Sequence, residues 1–313
     1  MSKKKKNIVI SIFVVIGVVF YIFLIVKDIK KTFGKVDVSS PGEHFAIINI
    51  DGVIQGGNQG AARAGYDHNA IKKYIDELIE DEDNTGIFLS INSGGGTVYH
   101  SDEMYNKLME YKEKTGRPVH AYFNAMAASG AYYIACAADT ISANKNCWTG
   151  SIGVIISMTN LSELYDKFGI DEVLITSGAN KGMGSTGSPM TEEHRAIYQG
   201  LVDESYEQFV NVVSTGRGLS IERVKEIADG RIYSAAQAKE IALIDNVESY
   251  EEAIAAMENV SGSSGYHKDL YKPTAFESLF MKIEEIMPKS EMEIAVNMAK
   301  SELAGVPLYM YVK

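Results

Sequence analysis

The feature that most restricts the fold of this chain is a pair of apolar, β-like runs that each end in small residues. Residues 87–91 read Ile-Phe-Leu-Ser-Ile and lead into three successive glycines, Gly94 to Gly96. Residues 119–123 carry apolar side chains at alternate positions and lead into Met-Ala-Ala-Ser-Gly at 126–130. Because glycine leaves the backbone N–H uncovered by a side chain, both strand ends are predicted to be accessible to a ligand.

Helical patterns alternate with these runs. Apolar residues repeat at helical spacing in two segments: Ile71, Tyr74, Ile75, Leu78 and Ile79, then Met104, Tyr105, Leu108 and Tyr111. Gly116-Arg117-Pro118 ends the second helix. Strand and helix alternating in this way predict an α/β fold with a parallel sheet. Such folds bind ligands beyond the carboxyl ends of the strands, where both small-residue segments fall.

The remaining elements follow from the same patterns. Strands are predicted at 45–54, 140–143, 171–176 and 243–245, and helices at 161–168, 191–215, 221–228 and 234–241. Residues 261–265, Ser-Gly-Ser-Ser-Gly, are predicted to be flexible, and residues 276–303 to form an amphipathic helix.

Ser129 stands between alanines and Gly130, so no bulky neighbour blocks its hydroxyl. Together with the glycines at 94–96 it suggests a nucleophile beside a backbone oxyanion site. A helix starting at Ser129 directs its free N–H groups outward, which makes the Gly130 N–H a candidate donor. The alternative is a glycine-rich turn followed by a tight helix start, with no chemistry at either.

The N-terminus predicts a membrane anchor. Residues 3–6 are all lysine, and residues 7–26 are twenty residues without a charge. As a helix they extend about 30 Å, the thickness of the bilayer core. The exit, Leu-Ile-Val-Lys at 24–27, lacks the small residues of a cleavage site, which favours an uncleaved anchor over a signal peptide. Four lysines before the span weakly favour a cytoplasmic N-terminus and an outer catalytic domain.

Charge and cysteine usage exclude several classes. The net charge is −11, and residues 1–31 hold seven Lys and one Asp, which leaves −17 for residues 32–313. So acidic a domain is a poor partner for nucleic acid. Cys136 and Cys147 form no ligand cluster and are expected to be free thiols, so no metal is predicted. No phosphate-loop pattern accompanies the glycines, so no cofactor is predicted either.

A third motif carries a family resemblance. Lys181 lies in Thr-Ser-Gly-Ala-Asn-Lys-Gly at 176–182, 52 residues after Ser129, and Gly-Arg-Ile-Tyr follows at 230–233. With Ala-Ser-Gly at 128–130, this combination resembles the short, single-repeat form of the signal peptide peptidase A family, serine peptidases of family S49. The resemblance runs from about Phe45 to Val247. It implies a ClpP/crotonase fold, which is an α/β architecture of repeated ββα units. It also implies an N-terminal transmembrane helix that precedes this domain in the chain.

The resemblance also assigns the site. It implies Ser129 as nucleophile, Lys181 as general base and Ser151 as the residue that orients the lysine. The oxyanion donors are then the N–H groups of Gly96 and Gly130, with Gly95 less suited; Gly94 stands where the family usually has proline. A lysine base must be neutral although a free amine has a pKa of about 10.4, which requires an apolar setting away from carboxylates. No acid occurs from residue 176 to 190.

The function implied is hydrolysis of residual signal peptides, bound as extended strands, by a homo-oligomeric ring whose neighbouring subunits share each active site. The implied domains are a basic segment and anchor at 1–31, a linker at 32–44, a catalytic domain at 45–260 and a C-terminal extension at 261–313 with oligomer or groove contacts. Residues 307–312, an apolar and β-prone tail, are a candidate occupant of the peptide groove.

Two alternatives remain open at this stage. One is an acyl-CoA-processing enzyme of the crotonase fold, which uses the same glycines on a thioester but needs neither a neutral lysine nor an anchor. The other is a non-catalytic membrane scaffold. A histidine base is less favoured, because none of the six histidines stands in a setting that marks a triad; a structural or surface role is predicted for His120.

Overall fold

A computed structural model describes residues 42–56, 65–268 and 270, and the backbone of 308–310. Internal contacts divide the chain into Met1–Gly42, of which only Gly42 is described, and Glu43–Lys313. The predicted membrane span at 7–26 and amphipathic helix at 276–303 lie outside the described residues. Within the described ranges, no helix has both the length and the apolar character needed to cross a bilayer.

The second unit is built on one mixed sheet flanked by helices. The strands are β1 (His44–Ile54), β2 (Asn84–Thr97), β3 (Val119–Ala128), β4 (Thr140–Ala143), β5 (Trp148–Gly150), β6 (Ile232–Ser234), β7 (Asn246–Val247), β8 (Ser264–His267) and β9 (Leu308–Met310). The helices are α1 (His68–Glu80), α2 (Val98–Thr115), α3 (Gly130–Ala135), α4 (Ser162–Phe168), α5 (Glu192–Arg217), α6 (Ile221–Ile227), α7 (Ala235–Glu240) and α8 (Tyr250–Ser261). The sheet therefore confirms the predicted α/β class.

The strand order is β6-β5-β3-β2-β1-β8, with β4 joining β3 to β7 and β9 lying on β2. All described pairings are parallel except β5 with β6 and β2 with β9. Parallel strands end on the same side of a sheet, so β2, β3 and β5 present their carboxyl ends together. This is the edge at which the sequence predicted a ligand.

The helices on this sheet begin and end where their local sequence directs. The Asp67 side chain accepts a hydrogen bond from the Ala70 N–H and caps α1, and Thr97 caps α2 in the same way. Gly116 closes α2 in the left-handed conformation that glycine tolerates best. The predicted apolar stripes are buried in both helices, except that Ile79 at the end of α1 is only partly buried. All six residues of α3 are buried, including the large side chains of Tyr132 and Tyr133, so this helix lies in the core.

Three local predictions were wrong. Residues 171–176 form no strand: they are exposed, and Ile175 is 96% accessible, because no neighbouring strand pairs with them. The last predicted strand lies at Asn246–Val247 rather than at 243–245. Residues 261–265 are not the flexible segment predicted, since Gly262 caps α8 and β8 then pairs with β1.

An ion pair between the buried side chain of Arg217 and the exposed carboxylate of Asp245 lies at the end of α5. Asp245 accepts hydrogen bonds from Nη1 and Nη2 of Arg217 at 3.1 and 2.6 Å and from the Ile141 N–H at 2.7 Å. It thereby joins the end of α5 to β4. Burial acts to raise the pKa of Asp245, but these hydrogen bonds outweigh burial and the pKa is lowered. The carboxylate is thus ionised in the folded state at neutral pH.

Replacing Asp245 by asparagine is expected to lower the Tm of the full-length protein at pH 7 by about 3–10 °C. The reason is a buried guanidinium left without its anion, which costs about 1–3 kcal/mol for a pair that water partly reaches. Because the folded pKa is lowered, the stabilisation exists above the unfolded pKa of about 3.9 and is lost as the pH falls through the folded value. Melting curves of both proteins should therefore converge below pH 4. Glu226→Gln, in an exposed pair with Arg223, is the control and should change Tm little.

Candidate active site

The site lies where three neighbouring parallel strands end. Ala128, the last residue of β3, pairs with Gly150, the last residue of β5. On the other side of β3, Ala127 pairs with Ser93 of β2, just before the three glycines. The register therefore places Ser129 beside Ser151 and next to the glycine segment, although these residues are far apart in the sequence.

Ser129 occupies a strained turn between β3 and α3. Its φ and ψ are 55° and −120°, a conformation that a residue with a Cβ rarely adopts. The backbone N–H of Ser129 donates to the Gly150 carbonyl at 2.8 Å, which fixes the turn. The side chain is buried, and its Oγ has no hydrogen-bond partner among the described residues. Strain of this kind at a strand-to-helix turn is typical of a serine nucleophile.

Ser151 follows β5 and is also held at positive φ, 49°, in a buried position. Its N–H donates to the carbonyl of Arg231 at 2.7 Å, in the Gly-Arg-Ile-Tyr motif. An open cleft of about 610 Å³ reaches Ser151, and its lining also includes Val202 and Tyr206 of α5 and the carboxylates of Asp203 and Asp229. Ser151 is thus placed beside Ser129 and at the end of a cleft through which another side chain can enter.

The glycines at the end of β2 differ in whether their backbone N–H groups are free to bind a ligand. The Gly95 N–H donates to Ser93 Oγ at 3.0 Å, and Ser93 Oγ itself donates to the carbonyl of Gly52. The Gly95 N–H is therefore already used in a hydrogen bond within the protein. Gly95 was the glycine predicted to be less suited as an oxyanion donor. At Gly96 an added Cβ would lie 1.8 Å from the carbonyl oxygen of Ile54, so only glycine fits. Gly130, as the first residue of α3, has an N–H without an acceptor inside the helix.

The exposed edge of β2 at these glycines already carries a strand. The backbone of β9 runs antiparallel to it, with Gly95 opposite Met310, Gly96 opposite Tyr309 and Thr97 opposite Leu308. An extended segment thus pairs with the strand that holds the predicted oxyanion donor. The apolar tail singled out in the sequence is the segment that does so.

Lys181 lies apart from the strand ends. It sits in a series of turns at 178–184, is exposed, and its amine makes no hydrogen bond or ion pair within the described ranges. The fold also brings carboxylates to this loop that the local sequence lacks. Glu172 accepts from Ser185 Oγ and Glu193 from the Asn180 side chain. The prediction that acids are absent around Lys181 therefore holds along the chain but not in space.

The segment around Lys181 exposes many apolar side chains. Residues 151–202 contain almost no buried position beyond Ile152 and Ser151. Its exposed apolar residues are Ile155, Leu164, Phe168, Ile170, Val173, Leu174, Ile175 and Leu201. Soluble proteins rarely expose so much apolar surface in one segment unless it meets a partner.

A second serine with a histidine and an acid nearby does not form a triad. His120 Nε2 is 2.9 Å from Ser142 Oγ, and that hydroxyl donates to Glu248. The acid thus contacts the serine rather than the imidazole, and Ser142 is completely buried. This geometry gives the serine no base that is itself oriented by a carboxylate. His120 has the structural role predicted for it.

Other chemistry is not supported by the described residues. Both cysteines are free and buried, and burial raises the pKa of each thiol to about 12, so neither is a reactive thiolate. Among residues 42–56 and 65–268, no group of His, Cys, Asp and Glu is arranged to hold a metal ion.

Comparison with known proteins identifies the family. Residues 111–263 match the sequence model of peptidase family S49. The chain is 38% identical over 215 residues to a putative protease of Synechocystis, a match that covers 69% of this chain and 73% of that protein. The chain belongs to peptidase family S49. Ser129, Ser151 and Lys181 all lie inside the matched segment, and the resemblance to signal peptide peptidase A is confirmed.

Two further relatives carry names of the same type. A putative signal peptide peptidase of Enterococcus faecium is 38% identical over 209 residues, which cover 66% of this chain and 60% of that protein. A protease 4 of Haemophilus influenzae is 33% identical over 212 residues, which cover 67% of this chain and 34% of that protein. The S49 chain described here therefore matches only part of the length of these two relatives. At the level of the family, it is a serine peptidase of the signal peptide peptidase type.

Proposed function

We propose that this S49 peptidase is a membrane-anchored endopeptidase that cleaves residual signal peptides with Ser129 as nucleophile and Lys181 as general base. The observation that carries the proposal is the state of Ser129. Its hydroxyl is buried and unbonded in a strained turn, next to a glycine-rich strand end that pairs with an extended segment. A ClpP/crotonase fold fits this arrangement of parallel strands and small-residue turns.

The proposed reaction is acyl transfer through a covalent intermediate. The Ser129 oxygen attacks the scissile carbonyl while its proton passes to the neutral amine of Lys181. The N–H groups of Gly96 and Gly130 stabilise the negative charge that develops on the carbonyl oxygen. The protonated amine then gives its proton to the leaving peptide nitrogen, and water hydrolyses the acyl-enzyme with Lys181 again as base. In this scheme Ser151 holds the amine in line with Ser129.

We propose that the base reaches Ser129 from a neighbouring subunit. Three observations support this: Lys181 is exposed in its own protomer, the segment that carries it exposes an extensive apolar surface, and an open cleft reaches Ser151. A second copy packed on this segment would bury its apolar residues. It would also bring the amine into the less solvated setting that a lysine base requires. The assembly expected from repeating this contact is a closed homo-oligomeric ring.

The substrate class follows from the edge of β2. Main-chain pairing at Gly95–Thr97 reads an extended backbone and not its sequence, so peptides are selected mainly by being unfolded. Signal peptides released after export are short and apolar. A peptidase anchored through residues 7–26 would meet them at the outer face of the cell membrane. The acidic domain and the absence of a cofactor motif leave an extended peptide as the partner.

A fluorophosphonate probe tests the proposed function. The serine oxygen displaces fluoride from phosphorus, and the adduct marks an activated serine. We expect labelling of the full-length protein in detergent at the peptide that contains Ser129, and cleavage of a synthetic signal peptide by the same sample. A non-catalytic scaffold predicts neither result. An acyl-CoA enzyme predicts turnover of thioesters without peptide cleavage.

The C-terminal strand gives a separate prediction. Because β9 occupies the edge that substrate needs, a chain truncated after Ala304 is expected to cleave a short peptide with a KM lower by several-fold. The physical reason is the removal of an internal competitor at high effective concentration. The measurement is steady-state kinetics on the truncated and complete chains. Replacing residues 308–310 by glycine and proline keeps the length of the chain but prevents strand pairing, and it should lower KM as the truncation does. An unchanged KM in both variants would contradict competition.

A further inference from the structure

The glycines at the end of β2 have no side chains of their own to hold them, and the structure fastens them from both sides. On the upstream side, Ser93 Oγ links the Gly95 N–H to the Gly52 carbonyl of β1. This contact fixes Gly95 relative to the neighbouring strand. The downstream side needs an equivalent constraint, because Gly96 is followed at once by the first turn of α2.

That downstream constraint is made by Thr97 and His100. Thr97 Oγ1 accepts the His100 N–H at 3.3 Å as the cap of α2 and also lies 2.6 Å from His100 Nδ1. Thr97 is buried, and its side chain is therefore held by the imidazole and not by water. Since Thr97 directly follows Gly96, a shift of the threonine displaces the Gly96 Cα, to which the N–H of the predicted oxyanion donor is attached.

The imidazole of His100 also touches the adjacent strand end. A Cβ added to Gly56 would lie 2.2 Å from His100 Nε2, so the ring packs directly on the backbone that follows β1. Two residues earlier, the Ile54 carbonyl presses on Gly96 itself. His100 thus contacts both segments between which Gly96 is enclosed.

His100 is in turn kept in place by a second histidine. The rings of His68 and His100 meet edge to face, with centroids 4.7 Å apart. His68 Nδ1 is 2.6 Å from the Tyr66 hydroxyl and Nε2 is 2.7 Å from Glu103. The hydrogen bond from Lys72 lowers the pKa of Glu103 to about 2, while burial lowers the pKa of His68. A neutral His68 therefore donates from Nε2 to an anionic carboxylate and accepts from tyrosine, which fixes its ring.

We propose that His100 is a positioning residue of this peptidase, which holds Thr97 so that the Gly96 N–H faces the oxyanion. The inference rests on the proposed function, because it assumes that Gly96 is a donor. His100 belongs to a polar network that runs from Lys72 through Glu103 and His68 to Thr97. Apolar residues of similar size could replace such a network without loss of stability, so positioning Gly96 gives the network a function. His68 acts behind it, by fixing the imidazole.

The test compares rates of fluorophosphonate labelling at Ser129 in the full-length protein. The probe is small and does not pair along β2, so its rate reports the oxyanion site and not peptide binding. His100→Leu, which keeps the bulk but not the hydrogen bond, is expected to slow labelling by about tenfold, less than the loss of a whole donor. His100→Asn offers a polar atom near the position of Nδ1 and should retain most of the rate. Thr97→Val is the second variant and should behave as His100→Leu does.

Thr115→Val is the matched control for stability. It removes the hydrogen bonds that Thr115 makes at the other end of α2, to the Tyr111 carbonyl and from the Arg117 N–H. It should lower Tm without slowing labelling. If His100→Leu and Thr97→Val label at the wild-type rate, or if the control is slowed as much, the positioning role is wrong. If the wild type itself does not label at Ser129, the proposed function fails.

Discussion

The Ser129→Ala variant is expected to lose peptide hydrolysis by about 10⁴-fold or more in kcat, the scale on which nucleophile removal acts in serine peptidases. The loss is this large because the serine beside Ser129 is not expected to replace it. Ser151 lines the cleft at the end of β5, and its proposed role is to orient the lysine. Any residual rate then comes only from binding and from the oxyanion donors.

The fold should survive the substitution. The turn at Ser129 is held by its backbone N–H and not by its hydroxyl, which has no partner within the described ranges. Alanine also adopts positive φ no more readily than serine, so the strain is unchanged. We therefore expect an unaltered Tm, within about 2 °C, together with complete loss of fluorophosphonate labelling.

Ser142→Ala is the matched control for this prediction. Ser142 is a buried serine that contacts both a histidine and a glutamate, so among the described residues it resembles a catalytic triad most. Its removal leaves Glu248 and His120 without their shared partner and should lower Tm by several degrees. Hydrolysis should continue at near the wild-type kcat. Loss of activity in Ser142→Ala with activity retained in Ser129→Ala would transfer the nucleophile to the buried serine and contradict the assignment.

Local sequence determined the parts of this fold that depend on local chemistry. Asp67 and Thr97 cap their helices, and Gly116 ends α2, because each effect acts over three or four residues. The apolar stripes of α1 and α2 are buried for the same reason. The position of Ser129 at a strand-to-helix turn was predicted from the apolar run before it, the helix after it and its small neighbours.

The supports of the site could not be predicted in this way. Ser93 reaches the carbonyl of Gly52, 41 residues earlier, and His100 touches Gly56 and His68 across two other elements. Such contacts depend on the strand register, which one sequence does not reveal. Thr97 did contain a hint, since threonine is one of the residues favoured at helix N-caps. It gave no reason to connect that cap with the oxyanion glycines.

The failure at 171–176 has a different physical cause. Val173, Leu174 and Ile175 are β-branched or apolar and read as a strand, yet they lie exposed beside the Lys181 loop. A high β-strand propensity means that a residue fits well on a pleated, half-buried surface. The protomer offers residues 171–176 no such surface. On the shared-site proposal, the missing surface belongs to the next subunit, and the apolar pattern reflects the assembly.

The shared site leads to the second large effect. Lys181→Met keeps an unbranched apolar side chain but removes the amine, and it is expected to lower kcat by about 10³-fold or more because no base then takes the serine proton. Ser129→Ala is equally inactive on its own. When the two inactive chains are co-expressed with different tags and mixed assemblies are isolated by both tags, activity should return.

The size of the recovery distinguishes the arrangements. If each site takes its serine from one subunit and its lysine from the next, random mixing of equal amounts gives about a quarter of the sites both groups. If both groups come from one chain, no site is complete and activity stays at background. Wild-type chains mixed equally with the doubly substituted chain give about a quarter of the sites in the first case and about half in the second. Mixed assemblies of Ser129→Ala with the doubly substituted chain contain no nucleophile and define the background. Both mixtures are assayed with the same substrate. Background activity in the first mixture with half activity in the second would place the dyad within one protomer. The exposed Lys181 loop would then have to fold back onto the strand ends of its own chain.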